Sequence, residues 1–165
     1  MIQHIVGIDP GLVHTGLVRM VFDSAQRSVS LEHEVISGAQ PPEDQGKQAN
    51  LWAKQQPPKR PAYVYIEGYK PRHHYGSDPK MIALANEMRR WTGGKVLLNT
   101  GVKKVVKKDL MILLGVWSFG TVTHHQDLRA AARIALLGML KDPALNRVLA
   151  DIVRDHLNGQ TWAIV

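Results

Sequence analysis

The sequence predicts an α/β domain: a mixed five-stranded sheet, begun as an antiparallel meander and completed by βα units, flanked by helices. Three observations predict it. Apolar runs near the N-terminus are separated by only a few turn residues, the spacing of neighbouring antiparallel strands. Further on, short apolar runs alternate with helix-period segments, the pattern of βα units. The C-terminal part carries helix signals alone. At 165 residues the chain fits one domain, residues 1–165.

The elements follow in order. Ile2 to Ile8 reads as a strand closed by the turn sequence Asp9-Pro10-Gly11. Leu12 to Phe22 resumes as a second strand, and Ser28 to Ile36 alternates polar and apolar as a third. The polar stretch from Gly38 to Lys47 leads into a helix carrying Leu51 and Trp52, which Pro57-Pro58 stops. Ala62 to Glu67 is a further strand, and it also ends in an acid. Gly68 to Ser77 is basic, aromatic and glycine-containing, the composition of an exposed loop.

Asp78-Pro79 supplies an N-cap and a first-turn proline for a helix with Met81, Leu84, Ala85 and Met88 at helical spacing, closed by Gly93-Gly94. Lys95 to Leu98 is a brief strand. Val102 to Leu114, basic and then apolar, reads as one helix. Thr123 with Gln126 forms a capping-box pattern opening a helix rich in small residues, Ala130, Ala131, Ala132 and Ala135, which allow close approach to a sheet. A last helix runs from Pro143 to about Leu157.

Composition narrows the function. There is no cysteine, which excludes a disulfide framework, a thiolate zinc site and a Cys nucleophile, and suits a reducing cytoplasm. No apolar run approaches the roughly 18 residues of a membrane span, and the N-terminus lacks the basic and long apolar regions of a secretory signal. The expectation is a cytoplasmic protein with no membrane partner. A net charge of +7, with eight histidines, favours a polyanionic partner, most simply nucleic acid, over a merely solvated basic surface.

The chemistry belongs with four side chains. Asp9 follows a strand, Glu67 ends one, and His124 and Asp127 stand three apart at a helix start, a spacing that puts both on one face. Like-charged carboxylates repel unless cations sit between them, and hard oxygen donors suit Mg²⁺ or Mn²⁺, the ions of phosphodiester hydrolysis. Each residue also has a purely structural reading. Asp9 can shape a turn, Glu67 can pair with Lys70 or Arg72, and Asp127 can complement the helix dipole.

These residues carry a resemblance. Gly7-Ile8-Asp9-Pro10-Gly11, with Thr15-Gly16 on the next strand, resembles the opening motif of the RuvC family of Holliday-junction resolvases. Ile66-Glu67 resembles its second motif, and His124-x-x-Asp127 before an alanine-rich helix resembles its last. Lys103, in Val102-Lys103-Lys104-Val105-Val106, looks like the family's active-site lysine. The likeness spans nearly the whole chain. It departs in Val106-Lys107-Lys108-Asp109 and in the histidine- and arginine-rich loop after Glu67, which look more like divergent, phage-type members.

The resemblance implies a ribonuclease H-like fold, a homodimer and two metal ions, Mg²⁺ with Mn²⁺ able to substitute. It implies that Asp9 bridges both metals, that Glu67 and Asp127 each hold one side, and that His124 completes one shell. Lys103 would neutralise charge on the phosphate under attack, and four-way DNA junctions would be cut by paired nicks leaving 5′-phosphate and 3′-hydroxyl ends. A two-fold junction also calls for a two-fold protein, with the helix bearing Met81, Leu84, Met88 and Trp91 as an interface element or simply as core.

The DNA contacts are expected from two segments. In the loop, Tyr69 or Tyr75 would stack on an unpaired base while Lys70, Arg72, His73 and His74 grip phosphates; alternatively Tyr69 packs under the loop. Lys103, Lys104, Lys107 and Lys108 would form a phosphate track on one helix, because cations near a helix start oppose its dipole and call for another reason to be there. The rival readings are a less specific flap or branched-DNA endonuclease, an actin-like nucleotide-binding module for which the chain is too short, and a non-catalytic DNA-binding protein.

Overall fold

A computed structural model describes residues 1–55, 62–69, 79–120 and 123–165. Three long strands, β1 (Ile2–Asp9), β2 (His14–Asp23) and β3 (Ser28–Ser37), form the meander. Helix α1 (Pro42–Lys54) follows, then β4 (Tyr63–Gly68), α2 (Pro79–Thr92) and β5 (Lys95–Leu98). Two short helices, α3 (Val102–Val105) and α4 (Lys108–Leu113), precede α5 (His125–Lys141) and α6 (Pro143–Leu157), and β6 (Ala163–Ile164) ends the chain.

The sheet order is β5-β4-β1-β2-β3-β6, with β1, β2 and β3 antiparallel and β4, β5 and β6 added in parallel pairs. Period-2 alternation divides the strand residues between two cores. On one face Val6, Ile8, Leu17, Ile36 and Ile66 pack with Leu84, Ala85 and Met88 of α2 and Ala49 of α1. On the other, Ile5, Val18, Met20, Phe22 and Tyr65 pack under α5, with Leu145, Leu149 and Ile152 of α6 behind.

Helix α5 lies on the sheet with almost no clearance, and small residues are the reason. A β-carbon on Gly7 would stand 1.9 Å from the Ala131 carbonyl oxygen, and one on Gly138 would stand 2.4 Å from the Tyr65 ring. Ala131, Ala132 and Ala135 are all buried in this contact. The alanine-rich stretch therefore does what its composition implies.

Four expectations are corrected or extended. Residues 102–114 do not make one helix: Val106 adopts extended backbone, φ −92° and ψ 91°, which sinks its β-branched side chain fully into the core and separates α3 from α4. Thr123 is not the N-cap of α5; His124 holds that position without a side-chain capping bond, and Thr123 is exposed. A sixth strand, β6, extends the expected five by pairing with β3 at Ser28 and Val29. In α2, Leu84 and Met88 are core residues, while Met81 and Trp91 are half-buried.

Candidate active site

The register of the sheet brings the acids together. Ile8 pairs with Ile66 across the parallel β1–β4 ladder, so Asp9 and Glu67, each the next residue, leave the sheet side by side and on the α5 face. On the other flank Asp9 pairs with Gly16 of β2. A β-carbon on Gly16 would lie 2.6 Å from the backbone carbonyl oxygen of Asp127, so the first turn of α5 rests directly on Asp9's cross-strand partner. Strand register thus positions Glu67, and a bare glycine admits Asp127.

Asp9 and Glu67 stand close enough for their carboxyl groups to repel one another. Burial, reinforced by the negative charges of Glu67 and Asp127, raises the Asp9 carboxyl well above the ordinary carboxylate range. The Tyr69 hydroxyl opposes this by donating to Oδ1 of Asp9 at 2.9 Å, and it also lies 3.0 Å from the Pro10 carbonyl oxygen. The same surroundings, burial foremost and then the Asp9 charge, push the Tyr69 phenol upward, so it stays protonated as a donor. Glu67 is 9% exposed and accepts a 2.8 Å bond from Nδ2 of Asn99, which follows β5.

His124 and Asp127 share one face, with Nδ1 of His124 3.6 Å from Oδ2 of Asp127. The His14 ring, at the start of β2, lies 4.0 Å from the His124 ring at a 49° tilt. His124 and Asp127 line an open cleft of about 390 Å³ together with Thr123, His125, Gln126 and Arg129. The turn before it is braced by Thr15, whose hydroxyl accepts from the Gly11 amide and donates to Oε1 of Gln45.

The donor set suits a divalent cation: three carboxylates and an imidazole, with Asp9 made reluctant to ionise by burial and by its acidic neighbours. A cation would relieve that repulsion. Among the described residues no three acids or histidines are spaced, as they stand, to enclose an ion.

The remaining expected residues fall into two groups. Lys103 and Lys104 are exposed on α3, which packs against α5; Lys107 and Lys108 are exposed at the start of α4. The break at Val106 distributes them over two helices instead of one face. The Tyr69 hydroxyl points to Asp9, a contact the sequence reading did not foresee, and the rest of the loop it opens lies outside the described residues. Lys70, Arg72, His73, His74 and Tyr75 lie outside the described residues.

Sequence reasoning missed Asn99, His14 and Arg129. Asn99 follows a parallel strand that ends beside Glu67, so applying the strand-end argument to β5 would have found it. His14 begins the antiparallel return beside Asp9. Arg129 gave no signal apart from its charge.

A meander extended by parallel strands, with helices on both faces and acids at the ends of β1 and β4, defines a ribonuclease H-like domain. No family model and no curated protein sequence matches the chain. Solved structures do. Thermus thermophilus RuvC in complex with a Holliday junction substrate is 19% identical with a TM-score of 0.56, the match covering 92% of this chain and 96% of that one. A second structure of T. thermophilus RuvC is 16% identical with a TM-score of 0.55, covering 93% and 97%. A fowlpox virus resolvase complexed with Holliday junction DNA is 12% identical with a TM-score of 0.47, covering 82% and 96%. The fold is that of RuvC. No helix among the described residues is long and apolar enough to cross a membrane.

Proposed function

We propose that the protein is a metal-dependent endonuclease that resolves four-way DNA junctions by paired nicks. The observation carrying this reading is the convergence of Glu67 and Asp127 on Asp9 at adjoining strand ends and a helix start. Shared architecture with a junction-bound RuvC and a net charge of +7 support DNA as the substrate.

Asp9, Glu67, Asp127 and His124 would hold Mg²⁺ or Mn²⁺, two ions per site. Such ions supply charge neutralisation and an activated water for phosphodiester hydrolysis, leaving a 5′-phosphate and a 3′-hydroxyl. The chain's own contribution is positional. Tyr69 favours the ionised form of Asp9 against its surroundings and orients the carboxylate, while Asn99 orients that of Glu67. The open cleft beside Asp127 admits a phosphate, and Lys103 is the candidate cation for charge building on it. The two-fold symmetry of the substrate supports a homodimer.

Labelled four-way, flap and linear DNA substrates incubated with Mg²⁺ or Mn²⁺ test the reading. Symmetrical nicking of the four-way junction is expected. Equal cutting of flaps would establish the less specific branched-DNA nuclease instead, and junction binding without cleavage would establish a non-catalytic binding protein.

A further inference from the structure

Trp117 lies in the segment between α4 and α5, and two cations share its indole. The Arg129 guanidinium carbon is 4.0 Å from the ring centroid and Nζ of Lys108 is 4.9 Å from it. Nε of Arg129 also donates to the Trp117 backbone carbonyl at 2.9 Å, which fixes the direction of the guanidinium fork. Among the described residues neither cation pairs with a carboxylate. Arg133, one turn along α5, is half-buried with Nε lacking a hydrogen-bond partner, and lies within reach of both the Arg129 and the Glu67 charges.

Holding Lys108 and Arg129 on one ring with no paired carboxylate costs Coulomb energy, which the indole contacts offset only in part. An anion bound between them reverses the sign of that cost. Arg129 lines the cleft beside Asp127, so the group lies next to the carboxylate site. A planar, oriented guanidinium suits phosphate oxygens, whereas the flexible lysine supplies a second point charge.

We infer that Lys108, Trp117 and Arg129 form a phosphate-binding platform that grips the DNA backbone next to the phosphate under attack. This rests on the nuclease reading, and it assigns a binding role to Trp117 and Arg129. The indole holds the two cations apart and oriented; their charges meet the backbone without reading bases.

Junction binding by the full chain in EDTA, between about 50 and 200 mM salt, tests it with the wild type, Arg129→Gln and Lys108→Gln. Each substitution should reduce the slope of log affinity against log salt by about one, and Arg129→Lys should largely retain the slope. Slopes equal to the wild type in both Gln variants would overturn the platform while leaving the nuclease reading intact. If Arg129→Gln lowers thermal stability, Lys108→Gln decides, since its exposed side chain leaves the fold unaffected. Absence of DNA binding by the wild type would overturn both.

Discussion

The Tyr69 hydroxyl donates to Oδ1 of Asp9 at 2.9 Å, placing the first aromatic residue after β4 against the acid that ends β1. That bond favours the ionised carboxylate in a setting where burial and two neighbouring acids oppose it. Tyr69→Phe is therefore expected to weaken Mn²⁺ binding by about tenfold or more, as loss of a ligand's supporting hydrogen bond commonly does. Thermal stabilisation measured against Mn²⁺ concentration reads this directly, and an unchanged midpoint would remove Tyr69 from the metal site.

The raised Asp9 carboxyl has a consequence for stability. The folded, metal-free protein retains a proton on Asp9 that the unfolded chain releases at its ordinary, lower value. Stability should fall as pH rises from that ordinary value through the raised one. Asp9→Asn should flatten this dependence and abolish cleavage. Urea unfolding at several pH values without metal checks the first, and junction nicking checks the second.

Mg²⁺ or Mn²⁺ should reverse the same penalty. Added at neutral pH, either ion is expected to raise the melting temperature of the wild type, but not that of Asp9→Asn. At a pH low enough to protonate the carboxyl groups the effect should vanish, because protons and metal compete for the same oxygens. Stabilisation of both proteins alike would place the ion elsewhere.

Gly16 admits α5 to the site, since its missing β-carbon leaves room for the Asp127 carbonyl. Gly16→Ala should cost about 1–3 kcal/mol through overpacking and displace the first turn of α5. Cleavage should fall far more than stability accounts for. Differential scanning calorimetry alongside nicking rates separates the two, and full activity in a destabilised protein would refute the positioning role.

Asp155 secures the C-terminal edge. It accepts from Nε1 of Trp162 at 3.1 Å and lies 3.6 Å from Nε of Arg27, holding the approach to β6 against the loop before β3. Asp155→Ala should destabilise by about 1–3 kcal/mol by stranding a partly buried donor. Denaturant unfolding measures this, and junction cleavage at low temperature should persist because β6 is the far edge of the sheet from Glu67.

Much of this arrangement was legible in the residues themselves. Closely spaced strand-like runs in the first 36 residues announced the meander, and Lys95–Leu98 and Pro143–Leu157 fall where their patterns placed them. Asp9 and Glu67 stood out because an acid ending an apolar strand demands a partner. The break at Val106 was illegible: helix-period apolar residues continue through it, and burial of one valine overrides the local preference. Thr123 carried a capping signature that the fold did not use, as α5 begins one residue later than the motif required.

By its local pattern the sequence determined which residues are strand, helix and acid, because backbone periodicity and turn chemistry act over a few neighbours. Only tertiary structure decided that Asp9 meets Glu67, Asp127 and Tyr69, since that depends on the β1–β4 register and on the clearance above Gly7 and Gly16. Likewise Lys108 on α4 and Arg129 on α5, separate in the chain, come together only over the ring of Trp117. Contacts between distant residues are set by packing, and no local preference encodes them.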